Sequence, residues 1–307
     1  MSFLSLGIIN KKILFAVFAG LFKLGANIFL NHSKVKMNSH PCILGINAGL
    51  GLNLSIFPFL YLKLKNKQIK YLNALEQITK KNKINSFNNS NYQRKKKIYL
   101  FILLIASLDF LQKFLSFFFR EQFLENFWIF DTCLLLIFSL FILKTKFYSH
   151  HFLSLIMILI IGISLIVINY YEGNITFLEV IITLLTEIFF SLENVICKYS
   201  MEVKFFSPYE ICFYVGLFEL IIFSLLLIIF TNVPASSSDL MNHLNNNHID
   251  DFFVYIVQLD MNEALIFILL MFLRCIFILF GFVTVDYFTP AHIVLILILG
   301  EINFFIY

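Results

Sequence analysis

The sequence predicts an all-α fold, a polytopic bundle of transmembrane helices. Of its 307 residues 60% are hydrophobic, and the mean hydropathy is +0.86. That is more apolar surface than a water-facing domain can carry. Apolar runs also recur at the length needed to cross roughly 30 Å of hydrocarbon at 1.5 Å per residue, about 20 residues. Nine runs meet it, near 12–31, 42–62, 98–119, 123–143, 152–171, 175–197, 209–231, 263–285 and 287–307. The 40 phenylalanines and the 14% of charged residues suit surfaces that face lipid, where large apolar side chains are accepted and unpaired charge is not.

In chain order, the opening MSFLSLGIINKK places apolar residues before lysines, the reverse of a secretory signal peptide. The 12–31 run is therefore expected to act as an uncleaved insertion signal. The second run offers a Gly45-x-x-x-Gly49 face for close helix approach and Pro58 as a bend. The segment 63–97 holds eleven basic residues among asparagines and too few apolar ones to fold alone, so it is expected to be a flexible linker. Only a few polar positions, around Arg120 to Phe127, divide the third run from the fourth. The segment 232–262 is Ser- and Asn-rich at its start, and its His243 and His248 are expected to be solvated. The last run, containing Pro290, stops at Tyr307 without a polar flank, which predicts a truncated chain and a tenth span beyond it.

Orientation follows from basic residues in the loops. With a cytosolic N-terminus, the inside segments carry Lys11, Lys12, the 63–97 cluster, Lys144, Lys146, Lys198 and Lys204, seventeen in all. The outside segments carry Lys34, Lys36 and Arg120. An integral membrane protein with a cytosolic N-terminus is expected; an endomembrane and the plasma membrane both remain open as its location. Splitting after Tyr171 gives five spans in 1–171, and 172–307 gives four of an expected five. Two units with an odd number of spans insert in opposite orientations, the inverted-repeat arrangement of many transporters.

Charges within spans need a partner, a water-filled cavity or a task. The candidates are Lys23 with Asn27 one turn later, Asp109 with Lys113 on one helical face, Asp131 without an evident local partner, Glu187 and Glu193 on different faces of one span, and Glu219 and Arg274 as partners across spans. Asp109 and Lys113 read equally as a self-neutralised pair or as the lining of a solute path, and Glu193 as a pathway residue or as a bridge to Lys198. An anionic solute would use Lys23, Lys113 or Arg274; protons or cations would use the carboxylates.

Soluble catalysis is disfavoured. The five cysteines are scattered without CxxC or Cys/His spacing, no nucleotide-loop, hydrolase or zinc-protease motif occurs, and the His150–His151 pair reads as a solvated turn. No cofactor, metal or nucleic-acid partner is expected. The expected partners are the lipid bilayer and a small-molecule solute, with a homodimer left open.

Three stretches resemble a known family. WIFDTCLLLIFSLFILKTKFYSHHFLSLIMILIIGISLIVI, with Leu143, Lys144, Lys146 and Gly162, is similar to the fourth and fifth spans of the drug/metabolite transporter superfamily. SLENVICKYSMEVKFFSPYEICFYVGLFELIIFSLLLIIF resembles the sixth and seventh spans of F-type members of solute carrier family 35, with Glu193, Lys198, Tyr199, Pro208, Gly216 and Leu217–Phe218 in comparable places. FGFVTVDYFTPAHIVLIL is similar to the start of the ninth span. The resemblance implies an EamA-like bundle that moves a small polar or anionic solute, a nucleotide sugar or related metabolite among them, by alternating access. It favours Glu193 as a pathway residue. The competing reading is a multi-pass scaffold or an intramembrane enzyme of unrecognised type.

Overall fold

The computed structural model describes residues 17–18, 21–22, 40–64, 87–118, 128–145, 149–172, 176–204, 206–234 and 250–287. These form helices α1 (Pro41–Asn53), α2 (Ile56–Leu64), α3 (Phe87–Phe118), α4 (Trp128–Ile142), α5 (Ser149–Tyr171), α6 (Phe177–Lys204), α7 (Pro208–Asn232), α8 (Phe252–Gln258) and α9 (Met261–Tyr287). No β-strand occurs among the described residues.

Among the described residues, five stretches are long and apolar enough to cross a membrane: Pro41–Tyr61, Tyr99–Phe118, Phe177–Glu202, Pro208–Asn232 and Met261–Gly281. Five of the nine expected runs are thus matched by span-length helices among the described residues. The runs at 123–143 and 152–171 yield shorter apolar helices, Phe130–Ile142 and Leu155–Tyr171. Of the first run, residues 17–18 and 21–22 are helical, and Phe22 stacks on Phe280 of α9 with ring centroids 6.1 Å apart. The rest of that run, including Lys23 and Asn27, and residues 288–307 of the last run lie outside the described residues.

Local sequence sets the helix ends. Pro58 lacks an N–H and would crowd the carbonyl four residues back, so the second span breaks at Leu54–Ser55 into α1 and α2 instead of bending smoothly. A reciprocal capping box starts α6: Thr176 N–H donates to Glu179 Oε2 (2.7 Å), and Glu179 N–H donates to Thr176 Oγ1 (3.3 Å). Asp251 caps α8 by accepting from Phe253 and Val254, and Asp260 opens α9 by accepting from Glu263 N–H at 2.8 Å. α3 begins at Phe87, within the segment expected to be linker. Its FNNSNYQRKKK has no Pro or Gly and ends in helix-favouring Gln, Arg and Lys, so the helix runs beyond its apolar portion. The His150–His151 pair lies in the first turn of α5 and not in a loop.

Packing turns polarity inside out. Phe57, Leu100, Phe141, Leu153, Ile228 and Leu265 are each more than half exposed, whereas Asp109, Asp131, Glu193 and Glu219 are buried. That distribution fits a hydrocarbon solvent. The most extensive helix contacts are α1 with α7, α3 with α6, α4 with α6, and α9 with α1. The glycine face makes the first possible: a Cβ on Gly49 would stand 2.9 Å from Leu220 N and 3.0 Å from Gly216 O, so the α1 and α7 backbones nearly touch. Gly51 takes the same role toward α9, where Met271 O would meet its Cβ at 2.8 Å.

Candidate functional site

Four titratable side chains converge from three helices. Lys113 Nζ on α3 lies 2.9 Å from Asp109 Oδ2 one turn away and 2.7 Å from Glu219 Oε1 on α7. The Glu219 side chain is wholly buried, and its second oxygen, Oε2, has no hydrogen-bond partner among the described residues. Glu193 on α6, buried to 6% exposure, stands within electrostatic reach of Asp109, Lys113 and Glu219. The three carboxyls and the ammonium share one low-dielectric site, where unlike charges attract strongly and surplus charge is expensive.

The periodicity that put Asp109 and Lys113 on one face holds, but the expected Glu219–Arg274 pair does not form as drawn. Glu219 takes Lys113, while Arg274 Nη1 donates to the Leu44 carbonyl at 3.1 Å and its guanidinium lies 5.9 Å over the Phe117 ring. α1 packs against α9, with Gly51 permitting close approach, and its Leu44 carbonyl serves as the acceptor for the guanidinium. Arg274 stays in the electrostatic field of Glu219. The bridge weighed between Glu193 and Lys198 is replaced by a helical i,i+4 pair, Lys198 Nζ to Glu202 Oε1 at 3.1 Å, because Glu193 turns to the interior face of α6.

Asp131 and Glu187 sit elsewhere. Asp131 is not without a partner: Ser191 Oγ on α6 donates to its Oδ1 at 3.1 Å. Glu187 is buried as well as Glu193, although six residues separate them, because α6 is covered by α3 on one side and α4 on another. Two buried faces on one helix follow from that central position.

A second polar assembly was not foreseen. Asp250, at the end of the segment expected to be exposed, is buried and receives His40 Nδ1 at 2.7 Å and the Cys42 backbone N–H at 2.8 Å. It thereby caps α1, whose Pro41 start leaves free N–H groups, with a carboxylate at the positive end of the helix. The His40 ring stands edge-on to Tyr255 of α8, centroids 5.3 Å apart. The sequence signal was Asp250–Asp251 immediately before an apolar helix, two acids where one suffices as that helix's own cap. His243 and His248 lie outside the described residues.

Burial pushes the Tyr255 hydroxyl up to about 12, and the charge of Glu263 acts in the same sense. The folded-state value lies above the reference of 10.0. Its contribution to stability is therefore fully present below pH 10.0 and is lost as pH rises through about 12. Tyr255→Phe is expected to flatten the fall of thermal stability across that window; a fall as steep as the parent's would contradict the assignment.

A cavity of about 520 Å³ opens near the α8 end of α7, lined by Ile46, Leu227, Thr231, Asn232, Phe252 and Phe253. It is mostly apolar and separate from the ionic cluster. Among the described residues no group of His, Cys, Asp and Glu has the arrangement of a metal site. No protein-family model matches this chain, and no curated protein matches it.

Proposed function

We propose that the protein is a secondary membrane transporter of a small polar solute, working by alternating access in the manner of the drug/metabolite transporters it resembles. One observation carries the reading: Asp109, Lys113, Glu193 and Glu219, all within span-length apolar helices, turn toward one another and away from lipid. A scaffold gains nothing from such a cluster that apolar side chains would not supply at lower desolvation cost. The charges also come from both halves of the chain, as expected where a solute site lies between two moving units.

The N-terminus and the 63–97 segment are assigned to the cytosol on the basic-residue asymmetry. The decisive experiment is uptake by the reconstituted chain in proteoliposomes against a panel of polar metabolites, nucleotide sugars included. Saturable uptake that Glu219→Gln reduces at least tenfold, with the protein still monodisperse, is the expected result. A folded protein that moves none of the panel would favour the scaffold reading. Cysteine labelling of 63–97 from outside sealed cells would overturn the orientation.

A further inference from the structure

Among the described residues the ionic cluster is out of balance. Asp109, Glu193 and Glu219 bring three carboxyls, and the cations among them are Lys113 in direct contact and Arg274 within the field of Glu219. The other titratable groups that face the cluster are the thiols of Cys197 on α6 and Cys212 on α7, with Cys275 on α9 beside Cys212. From α1 the Leu44 carbonyl faces Arg274 and accepts its Nη1. Fully ionised, the described groups of the site would hold one negative charge more than they neutralise, in a span interior where such a charge is costly.

We propose that the Asp109–Lys113–Glu219 cluster is a proton-binding site, holding one exchangeable proton between the Asp109 and Glu219 carboxyls, with Glu193 as the third carboxyl of the set. The two carboxyl groups straddle the same ammonium, Asp109 Oδ2 at 2.9 Å and Glu219 Oε1 at 2.7 Å from Lys113 Nζ, and two carboxyls held so close in a buried site favour binding a proton over carrying two charges. Two observations independent of the acid count mark the place. Glu219 Oε2 is buried with no partner among the described residues, as an oxygen that carries or receives the proton would be. Glu193 is more than nine-tenths buried and lies in the electrostatic field of Asp109, Lys113 and Glu219. One proton brings three carboxyls and two cations to neutrality. Lys113 bridges both partners and fixes their separation, so it is a positioning residue and not the proton carrier.

The site disfavours an anionic solute. Lys113 is shared by two carboxyls and Arg274 is engaged by a backbone oxygen, so neither presents a free positive face, whereas loss of the proton leaves a net negative site ready for a cation. As a coupling device this rests on the transport reading, whose ion it names; as a proton-binding site it does not depend on that reading.

The test is infrared spectroscopy of the full chain in liposomes, following the carbonyl stretch of protonated carboxyl groups as pH is varied and its downshift in deuterium oxide. A protonated-carboxyl band present at neutral pH is expected, lost or diminished by half or more in Glu219→Gln and in Asp109→Asn. Should either variant fail to fold, Glu219→Asp and Asp109→Glu keep the charge and alter the separation, and each is expected to shift the titration midpoint. Absence of the band at neutral pH in the parent, or a band and midpoint unmoved by all folded variants, overturns the proposal. Solute uptake without the band leaves the transport reading standing and removes the proton site. A band without uptake of any panel solute does the reverse.

Discussion

Lys113→Met is expected to cost the folded protein about 3–5 kcal/mol, the penalty for leaving buried charge without its counter-ion. The ammonium reaches both Asp109 and Glu219, and the Glu219 carboxyl has no exposure to water. Removing it strands two carboxyls that can only bind further protons or pull the helices apart. Thermal denaturation in detergent should register a large fall in midpoint, and abundance in cells should fall with it. Neutralising the partners at the same time discriminates the cause: Lys113→Met with Asp109→Asn and Glu219→Gln is expected to recover most of the lost stability. A single variant as stable as the parent would show that the three charges do not share a site.

The second large effect concerns the contact of α1 with α7. Gly216→Ala places a methyl 2.8 Å from Gly49 O, 2.9 Å from Asn53 N and still closer to the Leu52 side chain, and two of those neighbours are backbone that cannot rotate away. Overpacking of this kind costs roughly 1–3 kcal/mol, and Gly216→Leu should exceed that range and separate the helices. Gly281→Ala is the control, since among the described residues nothing lies within 4 Å of the position its Cβ would take. The expected result is a depressed melting midpoint for Gly216→Ala beside an unchanged one for Gly281→Ala. Equal midpoints would refute the close approach.

Hydropathy made the long spans legible, because the requirement that lipid imposes on length and composition is written locally. The Asp109–Lys113 pair was legible for the same reason: both residues belong to one helix, and a spacing of four fixes their relative direction. Cross-helix partners were not. Whether Glu219 meets Lys113 or Arg274 depends on how α7 is rotated against α3 and α9, and that rotation is set by which glycines let which backbones approach. The Asp131–Ser191 bond was hidden likewise, since a serine in an apolar run has no periodic signature. Asp250 was misjudged because composition describes a segment's average, and one buried carboxylate at the end of a Ser- and Asn-rich stretch does not alter it.

The partners of α1 have a consequence for biogenesis. Asp250 meets His40 across 210 positions of sequence and Cys42 across 208; Asn47 donates to Phe267 O across 220, and Arg274 reaches Leu44 O across 230. During synthesis α1 therefore enters the bilayer long before any of these groups exists. Its open N-terminus, its bare glycine face and the Asn47 amide must wait, facing lipid or an insertion factor, until α7 and α9 leave the ribosome. Such late closure lengthens the interval in which the nascent chain is vulnerable to wrong pairing and to quality-control proteolysis. The first half is thus an incomplete assembly on its own, and chains arrested before α9 should be degraded even though each of their helices has already inserted.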